Sequence, residues 1–190
     1  MDVNDLKGLF AEVGKRMSAS VDHVKHELAG VRTGRASTSM LDGVVVEAYG
    51  TTVPLNQVAS LSIPEPALIV AQPFDGALLK AIEKAIRTFD LGLNPSTDGK
   101  VIRVPLPSLT EERRKELSRH VHKLAEEGRN AVRQVRREAN DRLKALLKDH
   151  KISEDDEKKG LAEVQRLTDV HVKGIDDAQK KKDDELLGKS

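Results

Sequence analysis

The sequence predicts an α+β protein: an elongated three-helix bundle with a small β/α/β sandwich domain inserted between its first and second helices. Two observations carry that class. Apolar and small residues recur in steps of three and four through residues 1–31, 108–151 and 153–186, the spacing that keeps side chains on one side of a 3.6-residue spiral. Between the first two stretches the pattern changes to short apolar runs punctuated by Gly, Pro and Ser, which is how strands and turns read.

In chain order, Leu6, Phe10, Val13, Met17, Val21, Val24, Leu28 and Val31 define the first amphipathic helix. Gly34 and a run of small residues end it, so Arg32 to Ser39 reads as a connection. A domain over 32–105 follows. Val44 to Tyr49 is a strand, Gly50-Thr51 a turn, and Thr52 to Leu55 a short strand whose Pro54 suits an edge. Val58 to Ile63 and Leu68 to Ala71 fit two more strands. Leu78, Leu79, Ile82, Ala85, Ile86 and Phe89 mark one helix between Gly76 and Phe89, closed by Asp90-Leu91-Gly92. Ser96 to Gly99 turns into a last strand, Val101 to Val104. About seventy residues of this kind can just support a core. The connections at 32–36 and 104–107 form a neck, stiffened on the exit side by Pro105-Leu106-Pro107.

The longest element is expected from Ser108 to about Lys151, a rod of roughly 60 Å. Leu117, Val121, Leu124, Gly128, Ala131, Val135, Ala139, Leu143 and Leu146 form its buried seam. Ser108 with Glu111 reads as a capping box, while Lys148 and Lys151 suit the negative end of the helix dipole. Ser153 with Asp156 reads as another N-cap. From there Leu161, Val164, Leu167, either Val170 or His171, Ile175, Ala178 and Leu186 continue a third long helix. The short loop at His150 to Ser153 forces the last two helices antiparallel. Residues 1–31 and 106–190 thus make the bundle.

Composition removes several function classes. The 190 residues contain no cysteine, so disulfides, thiolate nucleophiles and cysteine-ligated zinc are absent. No eighteen-residue apolar run or leader pattern occurs, which implies a cytoplasmic protein without a membrane partner. His23/His26 and His120/His122 form no HExxH pattern, and neither GxxxxGK[ST] nor GxGxxG occurs, so the chain reads as no enzyme and as needing no metal or cofactor.

Charge is informative only locally. The net value is +1, yet Lys and Arg against Asp and Glu give 4 − 5 = −1 for 1–31, 7 − 7 = 0 for 32–107, 13 − 8 = +5 for 108–151 and 8 − 11 = −3 for 152–190. On the rod, Lys115, Arg119, His122, Arg129, Arg133, Arg136, Arg137, Asn140 and Lys144 fall within an arc of roughly 100°, centred about 145° from the expected seam. Arg129 to Arg137 holds four arginines and no acid. Arginine's planar fork grips phosphate in two places at once. The same face also reads as a solvated surface neutralised by Glu126, Glu127, Glu138 and Asp141. With aromatic residues at 2%, the composition argues against a stacking platform for unpaired bases, and a backbone-recognised duplex, RNA or DNA, is the nucleic-acid class that fits. A purely structural helical scaffold remains an alternative.

Several runs resemble one family. They are Val31-Arg32-Thr33-Gly34-Arg35-Ala36-Ser37, Leu41-Asp42-Gly43, Asp90-Leu91-Gly92-Leu93-Asn94-Pro95, Ile102-Arg103-Val104-Pro105-Leu106-Pro107 with Leu109-Thr110-Glu111-Glu112-Arg113-Arg114, Val132-Arg133-Gln134-Val135-Arg136-Arg137, and Ala145-Leu146-Leu147-Lys148-Asp149. In this order and spacing they are similar to the bacterial ribosome recycling factor (ribosome-releasing factor) family. Thr38 stands where many members carry proline. The resemblance implies an L shape like transfer RNA and a monomer that binds the post-termination ribosome in the intersubunit space. With elongation factor G, and GTP used by that factor, it would split the subunits and release mRNA. It further implies that Arg129, Arg133, Arg136, Arg137 and Asn140, with Arg32 and Arg35, grip large-subunit ribosomal RNA. Gly34, Arg35, Pro105, Leu106 and Pro107 would be the hinge.

Overall fold

A computed structural model describes residues 3–89 and 92–188. The chain divides after Thr33 and after Thr110 into two compact units; residues 106–110, assigned to the bundle on sequence, group with the small unit.

The first unit holds α1 (Leu6–Ala29), α4 (Glu111–Lys148) and α5 (Glu154–Leu186), each packed against both others. On α1 the core face is Leu9, Val13, Met17, Val21, Val24 and Leu28; Leu9 replaces Phe10, which is half-buried. Asp5 caps α1 by accepting the Gly8 N–H at 2.6 Å. The helix α4 starts at Glu111, so Ser108 lies too early to close the expected capping box. At its other end Lys151 donates to the Leu146 carbonyl and His150 to that of Leu147, with His150 at φ 56°. That pair of bonds satisfies two terminal carbonyls by a left-handed cap. The expected box at Ser153 forms: its hydroxyl accepts from the Asp156 N–H at 3.1 Å and the Asp156 carboxylate accepts from the Ser153 N–H at 3.2 Å. These hydrogen bonds lower the Asp156 pKa.

Small residues set how closely the helices approach. A Cβ on Gly128 would lie 2.2 Å from Val24 Cγ2 and 3.2 Å from Ile175 Cδ1, so α1, α4 and α5 meet over a bare backbone. On α5 the choice between Val170 and His171 falls to His171, half-buried with Nδ1 2.6 Å from the Leu167 carbonyl, whereas Val170 is exposed.

The second unit begins with β1 (Val45–Ala48) and β2 (Thr51–Pro54), a two-stranded antiparallel hairpin. Tyr49 and Gly50 both have positive φ, as a two-residue hairpin turn of matching twist requires. One helical turn, α2 (Leu55–Val58), precedes β3 (Ala59–Glu65), so Val58 belongs to that turn and not to a strand. Then come β4 (Leu68–Pro73), α3 (Leu79–Thr88), β5 (Ser96–Thr97) and β6 (Ile102–Pro105). Four strands pair antiparallel in the order β3-β4-β6-β5. Ser96 and Thr97, expected as turn residues, pair with Arg103 and Ile102; the turn is made where Asp98 Oδ1 accepts the Lys100 and Val101 N–H groups. Ile82 and Ile86 of α3 enter a core with Val46, Ile69, Ala71, Ile102 and Val104. The expected helix end at Asp90-Leu91 lies outside the described residues.

The exit of this unit differs from the sequence reading. Pro105 is a strand residue opposite Leu68, and the Leu106 N–H donates to the Ala67 carbonyl at 2.8 Å while the Ala36 N–H donates to that of Pro66 at 2.7 Å. The β3–β4 turn therefore holds both the incoming and outgoing chain. Gly34 has φ 77°.

Gly128→Ala should destabilise the bundle by about 1–2 kcal/mol, because overpacking against a stiff valine outweighs the gain in helix propensity. Thermal denaturation followed by circular dichroism checks this; an unchanged or raised Tm would contradict the close approach.

Candidate nucleic-acid interface

The rotation of α4 decides where its cations point. Its buried residues are Val121, Ala125, Gly128, Val132, Val135, Ala139, Leu143 and Leu146; Ala131, expected in the seam, is exposed and Leu117 and Leu124 are half-buried. Exchanging Leu117, Leu124 and Ala131 for Ala125 and Val132 turns the seam about 25° toward the arginine stripe. The stripe is therefore split between a packed flank and an exposed one.

Arg129 lies on the packed flank, its side chain 15% exposed. Nε reaches Glu126 Oε2 at 2.9 Å, and one Nη reaches Asp176 Oδ1 at 2.7 Å and Gln179 Oε1 at 3.0 Å, both on α5. Arg136 donates to Gln165 Oε1 of α5 at 3.3 Å. Asn140 is half-buried and its Oδ1 is enclosed without a hydrogen-bond partner among the described residues, so Asn140 too faces inward.

The exposed flank is different. Arg133 donates to Glu126 Oε1 at 3.1 Å and to Asn130 Oδ1 at 3.2 Å, with its side chain 42% exposed. Arg129 first, and Arg133 second, hold the Glu126 carboxyl below its ordinary pKa. Arg137 is exposed, and among the described residues it has no ion-pair or hydrogen-bond partner, as is also true of Arg119 and Lys144. Lys115 pairs with Glu111 on its own helix at 3.0 Å. Of the acids expected to neutralise the stripe, Glu126 alone does so among the described residues: Glu138 binds Arg16 of α1 at 2.6 Å, Glu127 lies 3.9 Å from Lys123, and Asp141 has no ion-pair partner.

In the connection after α1, Arg32 is exposed. Arg35 is half-buried and engaged in an interaction of its own. Pro105 belongs to β6 and Leu106 is tied to the β3–β4 turn as described above, and Pro107 is exposed beyond them. The α5 residues Gln165, Asp176 and Gln179 were not found on sequence, although the short turn before Ser153 fixes the antiparallel register that brings them opposite Arg136 and Arg129. Among the described residues no cluster of three His, Asp or Glu side chains is arranged to hold a metal ion, and no helix is long and apolar enough to cross a membrane.

A profile of the family described as "Ribosome recycling factor" matches residues 24–187. The chain belongs to the ribosome recycling factor family. It is similar to the ribosome-recycling factor of Rubrobacter xylanophilus, 50% identical over 186 residues that cover 98% of each chain. It is 53% identical over 173 residues to that of Rhodospirillum centenum, covering 91% of this chain and 94% of the relative. A solution structure of the ribosome recycling factor aligns with a TM-score of 0.73 and 45% identity over 96% of this chain and 97% of that one. The T. thermophilus ribosome recycling factor, from coordinates that also hold E. coli elongation factor G bound to the E. coli post-termination complex, aligns with a TM-score of 0.63 and 50% identity over 96% and 99%. Both likenesses extend over the bundle and the small unit.

Within this family member Arg129 acts as a helix clasp. Arg129→Ala should cost the bundle about 1 kcal/mol by removing its hydrogen bonds to Asp176 and Gln179 of α5. The sign with pH is set by Glu126: its lowered pKa adds stability that is present above the ordinary glutamate value and lost as pH falls through the folded one. Acid denaturation of Glu126→Gln should accordingly begin from a lower plateau and run flatter below about pH 4.5. A curve parallel to the parent's would show that Glu126 holds no such pair.

Proposed function

We propose that this chain recycles the ribosome after termination: it binds the post-termination ribosome in the intersubunit space. With elongation factor G and the GTP that this factor hydrolyses, it splits the ribosome into subunits and frees the mRNA. The observation that supports this most directly, beside family membership, is the exposed flank of α4, where Arg133 and Arg137 stand on a helix of 38 residues. On this reading the flank lies on large-subunit ribosomal RNA, Arg137 as a free fork and Arg133 by exchanging an exposed Glu126 contact for phosphate. Exposed ion pairs are worth only about 0–1 kcal/mol, so the exchange costs little. Arg32 adds a contact near the neck, while Arg129 and Arg136 act by holding the flank in position through α5, and Asn140 lies on the packed side of the stripe.

The chain performs no bond chemistry in this account; it transmits displacement, as a cytoplasmic monomer. The small unit receives motion from elongation factor G, and the segments at 33–35 and 107–110 pass it to the bundle. Pro107 fixes one backbone dihedral of that link.

Arg133→Glu with Arg137→Glu should weaken ribosome binding by two orders of magnitude or more and flatten its log–log salt dependence by about two contacts, read by co-sedimentation across a salt series. An unchanged affinity would remove the flank from the interface. Pro107→Gly should instead slow subunit splitting several-fold in light scattering with elongation factor G and GTP, while ribosome affinity stays within about twofold. Parallel loss of both would assign Pro107 to binding and not to transmission.

A further inference from the structure

The side of the bundle turned away from the arginines carries a second surface. A groove of about 340 Å³ runs between α1 and α4, roughly 150° round α4 from Arg133 and Arg137. Its floor is Val24 and Gly128, and its apolar walls are Ala19, Leu124 and Ala131. The sequence repeats Leu117, Leu124 and Ala131 every seven residues, an apolar seam of the kind that packs on another helix, yet α1 and α5 leave Leu124 half-buried and Ala131 exposed. The apolar arc of α4 is wider than this chain covers.

The ionisable residues lining the groove are Glu27, Glu127 and His23, with no lysine or arginine among them. Among the described residues Glu27 has no ion-pair partner, and Glu127 has only the long contact of 3.9 Å to an exposed Lys123. Further along both helices the Arg16–Glu138 bridge at 2.6 Å joins α1 to α4, bounding the open stretch.

We propose that this groove docks a cationic amphipathic helix of a partner protein. Its apolar side chains would settle on Ala19, Leu124 and Ala131, and a lysine or arginine would stand between Glu27 and Glu127. The carboxylates repel phosphate, so the groove and the arginine flank sort two kinds of partner, protein on one side and nucleic acid on the other. The assignment stands whether or not the flank binds ribosomal RNA.

The test is an NMR titration of the full, isotope-labelled chain with an amphipathic leucine–lysine helical peptide, its leucine–glutamate counterpart, and a short RNA duplex. The lysine peptide should shift Ala19, His23, Glu27, Leu124 and Ala131, and the other two probes should not. Glu27→Lys with Glu127→Lys should weaken the lysine peptide by about tenfold or more, and Ala131→Arg should do the same by filling the groove; Arg133→Glu with Arg137→Glu should not weaken it. Shifts centred on other acidic surfaces, equal binding of the glutamate peptide, movement of the groove resonances by RNA, or unchanged affinity in both groove variants would each overturn the proposal.

Discussion

The setting of α4 about its own axis is the constraint on which the other features depend. It is fixed where bare backbone meets side chains of both neighbours, at Gly128 against Val24 and Ile175, with Ala125 and Val132 filling the neighbouring positions. A few tens of degrees of rotation there would carry Arg129 out of its contacts with α5 and bring Leu124 and Ala131 into the core. In the observed setting α4 offers three sides at once: a clasp to α5, a cationic flank to solvent, and an apolar edge beside α1.

The electrostatics follow from that geometry. Arg129 has 15% of its side chain exposed and answers two half-exposed carboxylates and an amide at the bundle surface, so its charge is spent on contacts within the molecule. Arg133 shares the far oxygen of Glu126 in the open, and Arg137 shares nothing among the described residues. One run of four arginines thus serves two purposes, decided by position on the helix and not by residue type. This is why counting cations on a helix overstates the charge it can offer a partner.

Much of the fold was legible in the sequence because it is local. Periods of three and four set out α1, α4 and α5, the Ser153 box marked the start of α5, and Gly50 marked the first hairpin. The errors share a cause in long-range packing. Leu124 and Ala131 lie beside Ala125 and Val132 in the sequence, and both pairs keep helical spacing, so periodicity alone could not say which pair faces inward. Ser108 had the right chemistry for a cap, but Pro105 and Leu106 are occupied by the small sheet and the helix waits until Glu111. Ser96 and Thr97 resembled a turn because two-residue strands leave no alternation to read. At the candidate interface the arginines were legible and their partners were not, since Asp176 and Gln179 enter only through the antiparallel register. Charge left RNA, DNA and a plain scaffold open, and the ordered motifs narrowed that choice to the family.

On the proposed function, Arg137 would mark the side of α4 that lies on ribosomal RNA, and Ala131 the side that does not. Because the chain has no cysteine, single Arg137→Cys and Ala131→Cys variants can each carry a tethered iron–EDTA probe. Bound to post-termination ribosomes, the probe at 137 should cleave large-subunit rRNA near the bundle and the probe at 131 should leave it largely intact. Equal cleavage from both positions, or stronger cleavage from 131, would contradict the account.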